Sequence, residues 1–344
     1  MKLVRRLEAR QLAERQDDFV SHFVRRRTPV VINGAARYWL PHVKQVWPAL
    51  LASHANAEVT LNLTHPDGHF GRVSESTVLF SAERQTSLHD AWQCTQPQPT
   101  LTTHGQSAAY LFSGTDERRF SVARELLAAL PDDVVGDRET QPFITDGPTR
   151  VEAAKAVLWL SAGGTTACSH RDSLWNFHAV LWGSKRFLLV PPSRFVDMKD
   201  RWRVGMRLRE VEGGVGAAQP IEDPPGFIKS YSGFSSISLM SLLDRSCAEV
   251  ERSLANEIIE ASLHEGDVLF LPPGWWHEVS SVASASEGRS LSINYWQQTC
   301  FGVPAEDQEL EHRRLRYLQA VKSFGQICDG GGAPLLIPAW MEAF

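Results

Sequence analysis

Cysteine is scarce: five thiols (Cys94, Cys168, Cys247, Cys300, Cys328) in 344 residues, odd in number and widely scattered. Without paired spacing they spell neither a structural zinc site nor a disulfide framework, and reduced thiols in an intracellular compartment are the simpler expectation. Also missing is any apolar run approaching the roughly 20 residues that cross a bilayer, so no membrane partner is expected. Positive charge is not in excess either. With 35 Lys+Arg against 40 Asp+Glu the net charge is −5, which argues against nucleic-acid binding by bulk charge while leaving local basic patches open. The opening MKLVRRLEARQLAERQDDF is Arg-rich, yet it carries Glu8, Glu14, Asp17 and Asp18, acids that a mitochondrial transit peptide avoids. A cytoplasmic or nuclear place is therefore expected.

What the chain does have is an ordinary globular composition, 43% hydrophobic and 22% charged, enough for one elaborated domain with a large core. Helices are expected over 3–27, where Leu3, Leu7, Leu12, Phe19 and Phe23 recur at roughly helical spacing, and over 39–53. The Arg25-Arg26-Arg27 triplet reads as a solvated helix end or as a phosphate-facing patch. Short strands are expected at 28–33, 59–63, 108–112 and 155–160. The polar stretch 65–104 reads as a cover or boundary, its His65 and His69 as surface residues around a Pro-Asp-Gly turn. A short helix is expected over 122–130, closed by Pro131-Asp132-Asp133.

Chemistry is concentrated in HRDSLWNFHAVLWGSKRFLLVPP, residues 170–192. Residues two apart on a strand share a face, so His170 and Asp172 can offer an imidazole and a carboxylate to one ion. A third ligand, His277, follows the apolar run Val268 to Leu271 and a Pro-Pro-Gly turn. His-x-Asp with a distant His is the facial triad that holds iron(II) and leaves positions open for a bidentate co-substrate and dioxygen. Reading Gly183-Ser184 as a hairpin turn puts Asn176, His178, Val180, Lys185, Phe187 and Leu189 on one face. From the residues alone, Lys185 also reads as an exposed strand-end lysine.

The ordered set of HRD, Asn176, Lys185, the double proline, GDVLFLPPGWWH and LSINYW resembles the Jumonji C or cupin-8 type 2-oxoglutarate oxygenases. Within them it is most similar to the branch that contains an asparaginyl hydroxylase and a tRNA wybutosine hydroxylase. The likeness spans about residues 105–300. It implies a mainly β fold, a double-stranded β-helix (cupin-like jelly roll) with helical additions at both ends. Residues 1–104 would brace a catalytic barrel at 105–300, and 301–344 would form a helical tail. It further implies Fe(II), 2-oxoglutarate and O2, with His170, Asp172 and His277 on the metal and Lys185 on the far carboxylate of the co-substrate. Asn176, Asn294, Tyr110 and Thr166 fall where relatives contact the co-substrate, although relatives carry a Thr three residues before the first metal His and this chain has Ala167 there. A carboxylate ligand at Asp172 speaks against a halogenase, which opens a halide position by lacking one.

Residues 193–262 read as an insertion bordering the substrate cleft, ending in a helix over 248–263. A large substrate is thus expected, a protein side chain first and a tRNA base second. The last strands, 279–283 and 290–296, read as a hairpin. A partly apolar helix over 305–324 would dock on the barrel or form a homodimer. A cupin enzyme that does not use 2-oxoglutarate, or a degenerate barrel kept for binding or assembly, are the readings that an intact triad with Lys185 and Asn294 opposes.

Overall fold

A computed structural model describes residues 1–10, 16–96, 109–114, 120–130, 156–212, 214–223, 225–243 and 249–297. The first strands are β1 (Lys2–Leu3), β2 (Arg5–Glu8), β3 (Val30–Asn33), β4 (Glu58–Leu63), β5 (Gly71–Val73), β6 (Thr77–Phe80), β7 (Ala82–Ser87) and β8 (Ala109–Gly114). The barrel continues with β9 (Ala156–Ser161), β10 (Thr165–Arg171), β11 (Trp175–Trp182) and β12 (Ser184–Val190). Then come β13 (Arg203–Val211), β14 (Gly214–Pro220), β15 (Ser230–Tyr231), β16 (Ile259–Leu263), β17 (Val268–Leu271), β18 (Trp276–Val282) and β19 (Ser290–Gln297). The helices are α1 (Gln16–Phe19, continued as a π-turn over Val20–Val24), α2 (Trp39–Ser53), α3 (Leu88–Cys94), α4 (Val122–Ala129), α5 (Leu239–Leu243) and α6 (Glu249–Ala255).

Two sheets face each other as a jelly roll. The larger runs β2-β3-β17-β11-β19-β9-β8-β4-β7, the smaller β1-β16-β12-β18-β10. A third sheet, β14-β13-β6-β5, stands beside them. Strand β11 shows how the sequence positions the two faces. Its outward residues Trp175, Phe177, Ala179 and Leu181 join the core under α2 and α4, while Val180 joins Phe187, Leu189, Leu269 and Val279 inside the barrel. Buried on both sides, it reads as a nearly continuous apolar run interrupted by Asn176 and His178. The outer face of the smaller sheet (Leu188, Val190, Trp276) is covered by α5 and α6. No helix among the described residues is long and apolar enough to cross a membrane.

Several expectations need correction. Residues 2–8 are strands, not helix, because open edges of both sheets take them up in parallel, β1 on β16 and β2 on β3. The stretch 65–96 is organised into β5, β6, β7 and α3, and His65 is buried. The helix expected over 248–263 ends at Ala255, and β16 follows as a barrel strand paired with β12. Neither expected hairpin exists. β11 pairs with β17 and β19, whereas β12 pairs with β16 and β18, so the chain crosses from one sheet to the other at Gly183. Gly183 has φ +79°, and a Cβ there would lie 2.2 Å from the Val282 carbonyl oxygen, so the crossover admits only glycine. β18 and β19 likewise lie in opposite sheets. The expected helix over 305–324, with its homodimer contact, lies outside the described residues, as does the 301–344 tail.

Candidate metal and co-substrate site

His170 sits near the end of β10, directly opposite His277 on β18, and their rings are 4.1 Å apart. Asp172 lies just past the strand, where its carbonyl accepts from the Gly274 amide at 2.8 Å. One ligand atom from each of His170, Asp172 and His277 falls within 4.8 Å of the others. His170 Nδ1 is 2.7 Å from the Cys168 carbonyl and His277 Nδ1 is 3.0 Å from that of Trp275. A carbonyl can only accept, so each Nδ1 is the donor and Nε2 is left as the ring atom available to an ion. Burial and the neighbouring His170 hold the His277 imidazole below its ordinary range, hence neutral and able to ligate. Two imidazoles, each with Nδ1 committed to a backbone carbonyl, and one carboxylate converging within 4.8 Å of one another fit iron(II) held from one side.

The carboxylate is aimed by a chain of hydrogen bonds. Trp159 Nε1 donates to Asn294 Oδ1 (2.8 Å), Asn294 Nδ2 to Asn176 Oδ1 (3.3 Å), and Asn176 Nδ2 to Asp172 Oδ2 (3.4 Å). Trp296 Nε1 donates to the same oxygen at 3.3 Å. The structure therefore brings Asn176 and Asn294 together beside the metal ligands, with Trp159 and Trp296 as members that sequence spacing missed. The ladder pairs His178 with Asn294 and Asn176 with Trp296 across β11 and β19, a relation invisible until the partner strand is known.

Deeper in the barrel, Lys185 is only 6% exposed, and its Nζ donates to Ser281 Oγ at 2.9 Å. Burial lowers its pKa to about 8. His178 faces it with Nε2 unpartnered among the described residues, its pKa pushed well down by burial and by the Lys185 charge. Ser292 Oγ is also buried without a partner among the described residues. A cation, an imidazole and a hydroxyl with unused hydrogen-bonding capacity fit an anionic guest, since such groups are costly to leave bare. Lys185 thus points inward, and the shared wall predicted from a hairpin arises instead from two sheets face to face.

Tyr110 is buried on β8, its ring 3.9 Å from that of Phe70 and stacked at 6.3 Å on Trp159. Burial raises its pKa to about 12, with a bond to Ser81 acting the other way, so it remains a neutral phenol. Thr166 is placed elsewhere. Its backbone bonds Gly68 and Phe70, while Ala167 packs on the barrel's inner cluster and Thr165 pairs with Ser281, the partner of Lys185. Counting back by twos from His170 would turn Thr166 inward, but a register shift between Ala167 and His170 reverses the parity. Thr165 is the inward threonine, and its Oγ1 lies 3.3 Å from Ser161 Oγ.

A family model described as a cupin-like domain matches residues 16–302. The lysine-specific demethylase JMJ32 of Arabidopsis thaliana is 24% identical over 301 residues, covering 83% of this chain and 79% of its own length. The human bifunctional peptidase and (3S)-lysyl hydroxylase JMJD7 is 22% identical over 271 residues, covering 78% and 76%. With a jelly roll, an inward His-Asp-His cluster and a match over most of its length, the chain belongs to the cupin-like family of Jumonji C type.

Proposed function

We propose that this protein is an iron(II)- and 2-oxoglutarate-dependent hydroxylase acting on a protein side chain. The observation that carries the reading is the pairing of a convergent His170-Asp172-His277 cluster with a buried Lys185 whose only hydrogen-bond partner among the described residues is Ser281. A cupin that took no dicarboxylate would gain nothing from burying that ammonium, which desolvation disfavours. His170, Asp172 and His277 would hold iron(II), which with 2-oxoglutarate and dioxygen would supply the oxidation, one oxygen atom going to succinate as CO2 is lost and the other entering a substrate C–H bond.

The chain's own residues bind, orient and exclude water. His170 and His277 present Nε2, and Asp172 is held by Asn176 and Trp296. Lys185 gives the far carboxylate a charged donor, with His178 and Ser292 beside it to complete the polar shell. The Phe70, Tyr110 and Trp159 rings, packed on one another beside the larger sheet, would limit the access of water. A protein substrate is favoured over a tRNA base because both named relatives bear lysine-directed descriptions and the chain carries no positive excess. The test is turnover of 2-oxoglutarate to succinate by the purified protein with iron, followed by a one-oxygen mass shift in a captured protein. Succinate formation with oxidised tRNA and no oxidised protein would transfer the substrate to nucleic acid; no succinate would end the oxygenase reading.

A further inference from the structure

Strand β10 is the last of the smaller sheet, and an edge strand leaves backbone groups unpaired. At the metal end this edge is closed by residues 233–235. The Arg171 amide donates to the Gly233 carbonyl and the Ser235 amide to the Ser169 carbonyl, both at 2.9 Å, with His170 and Phe234 opposite each other in an antiparallel bridge. The Phe234 ring stacks at 6.1 Å on His170 and meets Phe80 at 5.6 Å and Tyr231 at 6.4 Å. An aromatic wall thus stands against one metal ligand.

Arg203 Nη1 donates to the Phe234 carbonyl and Ser235 Oγ to that of Met198, both at 2.6 Å, and what ties this wall to the ligand strand is Asp200, whose side chain is 9% exposed. Its Oδ2 accepts from Arg171 Nε (2.9 Å) and Nη2 (2.7 Å), and its Oδ1 accepts from the Gly233 amide (2.9 Å). Arg171 stands between His170 and Asp172 in the chain. Its guanidinium, drawn outward, also lies 5.6 Å from the Trp276 ring, next to His277. One carboxylate therefore ties the residue flanked by two ligands to the turn that carries Phe234.

We infer that Asp200 is a positioning residue for the metal site, locking the His170–Asp172 turn to the 231–235 wall through Arg171 and Gly233. The inference rests on the metal-site reading above. Supporting groups around ligands commonly carry 10- to 100-fold in metal affinity, and an indirect lock of this kind belongs at the lower end, about tenfold.

The test uses the full chain with Mn(II) as probe, free ion being counted by electron paramagnetic resonance. Asp200→Asn should weaken Mn(II) binding about tenfold. It should also speed amide exchange at Arg171 and Ser235 while leaving β11 and β19 protected. Arg171→Lys, which keeps the charge but loses the two-nitrogen grip, should act in the same direction, and the double variant should be no worse than the stronger single one. Should Asp200→Asn lower stability too far, Arg171→Lys carries the same two readouts. Unchanged Mn(II) affinity in both variants, or exchange that rises evenly through the barrel, overturns the role. A wild-type chain that binds no Mn(II) removes the metal-site reading and this role with it, whereas wild-type binding matched by the variants removes the role alone.

Discussion

The two ends of the barrel interior are built on opposite terms. At the metal end the polar atoms other than the ligating ones are spoken for: both Nδ1 atoms by carbonyls, Asp172 by Asn176 and Trp296, and Asn176 by Asn294. At the Lys185 end, among the described residues, the ammonium has one hydroxyl, and His178 Nε2 and Ser292 Oγ have nothing. The first end is organised before anything binds, and the second bears a desolvation cost that a guest would relieve. A pocket of this kind separates geometry from charge, so the two can be broken independently.

The largest effect is expected from the ligands. His170→Ala or His277→Ala should lower iron(II) affinity by more than about 100-fold, beyond what loss of a supporting group costs, and metal content after gel filtration checks it. Next, Lys185→Met should leave iron binding intact while weakening 2-oxoglutarate by about 10- to 150-fold, the value of a charged hydrogen bond, measured by anaerobic titration. Equal loss of metal and co-substrate in that variant would erase the distinction between the ends.

The pH response sharpens the same comparison. Only the charged ammonium serves a carboxylate, so co-substrate affinity should hold below the folded pKa of about 8 and fall up to tenfold per unit above it. Stability of the empty protein should move the other way. Below about pH 8 Lys185 is protonated in both the folded and the unfolded chain, and the full burial cost is felt. Between there and 10.5 the unfolded chain still holds the proton that the folded chain has released, so stability rises with pH, by up to roughly 3 kcal/mol. Denaturant titration across that window should show the rise in wild type and none of it in Lys185→Met. The smallest effect is expected from Trp296→Phe, which removes one neutral donor from Asp172: about fivefold in metal affinity, from a hydrogen bond worth about 1 kcal/mol.

The ligands were legible because a His-x-Asp pair at the end of one strand and a later His on another need only a two-residue alternation that survives there. Asn176 and Lys185 were legible as one face, yet the hairpin offered as the reason is absent. Sequence cannot distinguish a turn that returns a strand beside its predecessor from a glycine that carries it to the other sheet, since both use Gly183. Thr165 was missed for a related cause, a one-residue register shift that no composition signals. The strands at 2–8 were missed because Leu3 and Leu7 suit a helix, and only the waiting sheet edges decide against it. His65 was taken for a surface residue because its Pro-Asp-Gly neighbours spell an exposed turn, although the loop is folded down on β10 through Gly68 and Phe70.

The crossing at Gly183 bears on how the protein comes to exist at all. Around that crossing, and again between β18 and β19, consecutive strands oppose each other rather than pair, so no neighbouring hairpin there can serve as a seed. The ladder that sets His170 across from His277 joins strands separated by the whole of residues 172–275. Pairings so distant in sequence form slowly, because the intervening chain must be gathered before any contact rewards it. The His170-Asp172-His277 cluster is then a product of the closing event, assembled only once β10 and β18 have met.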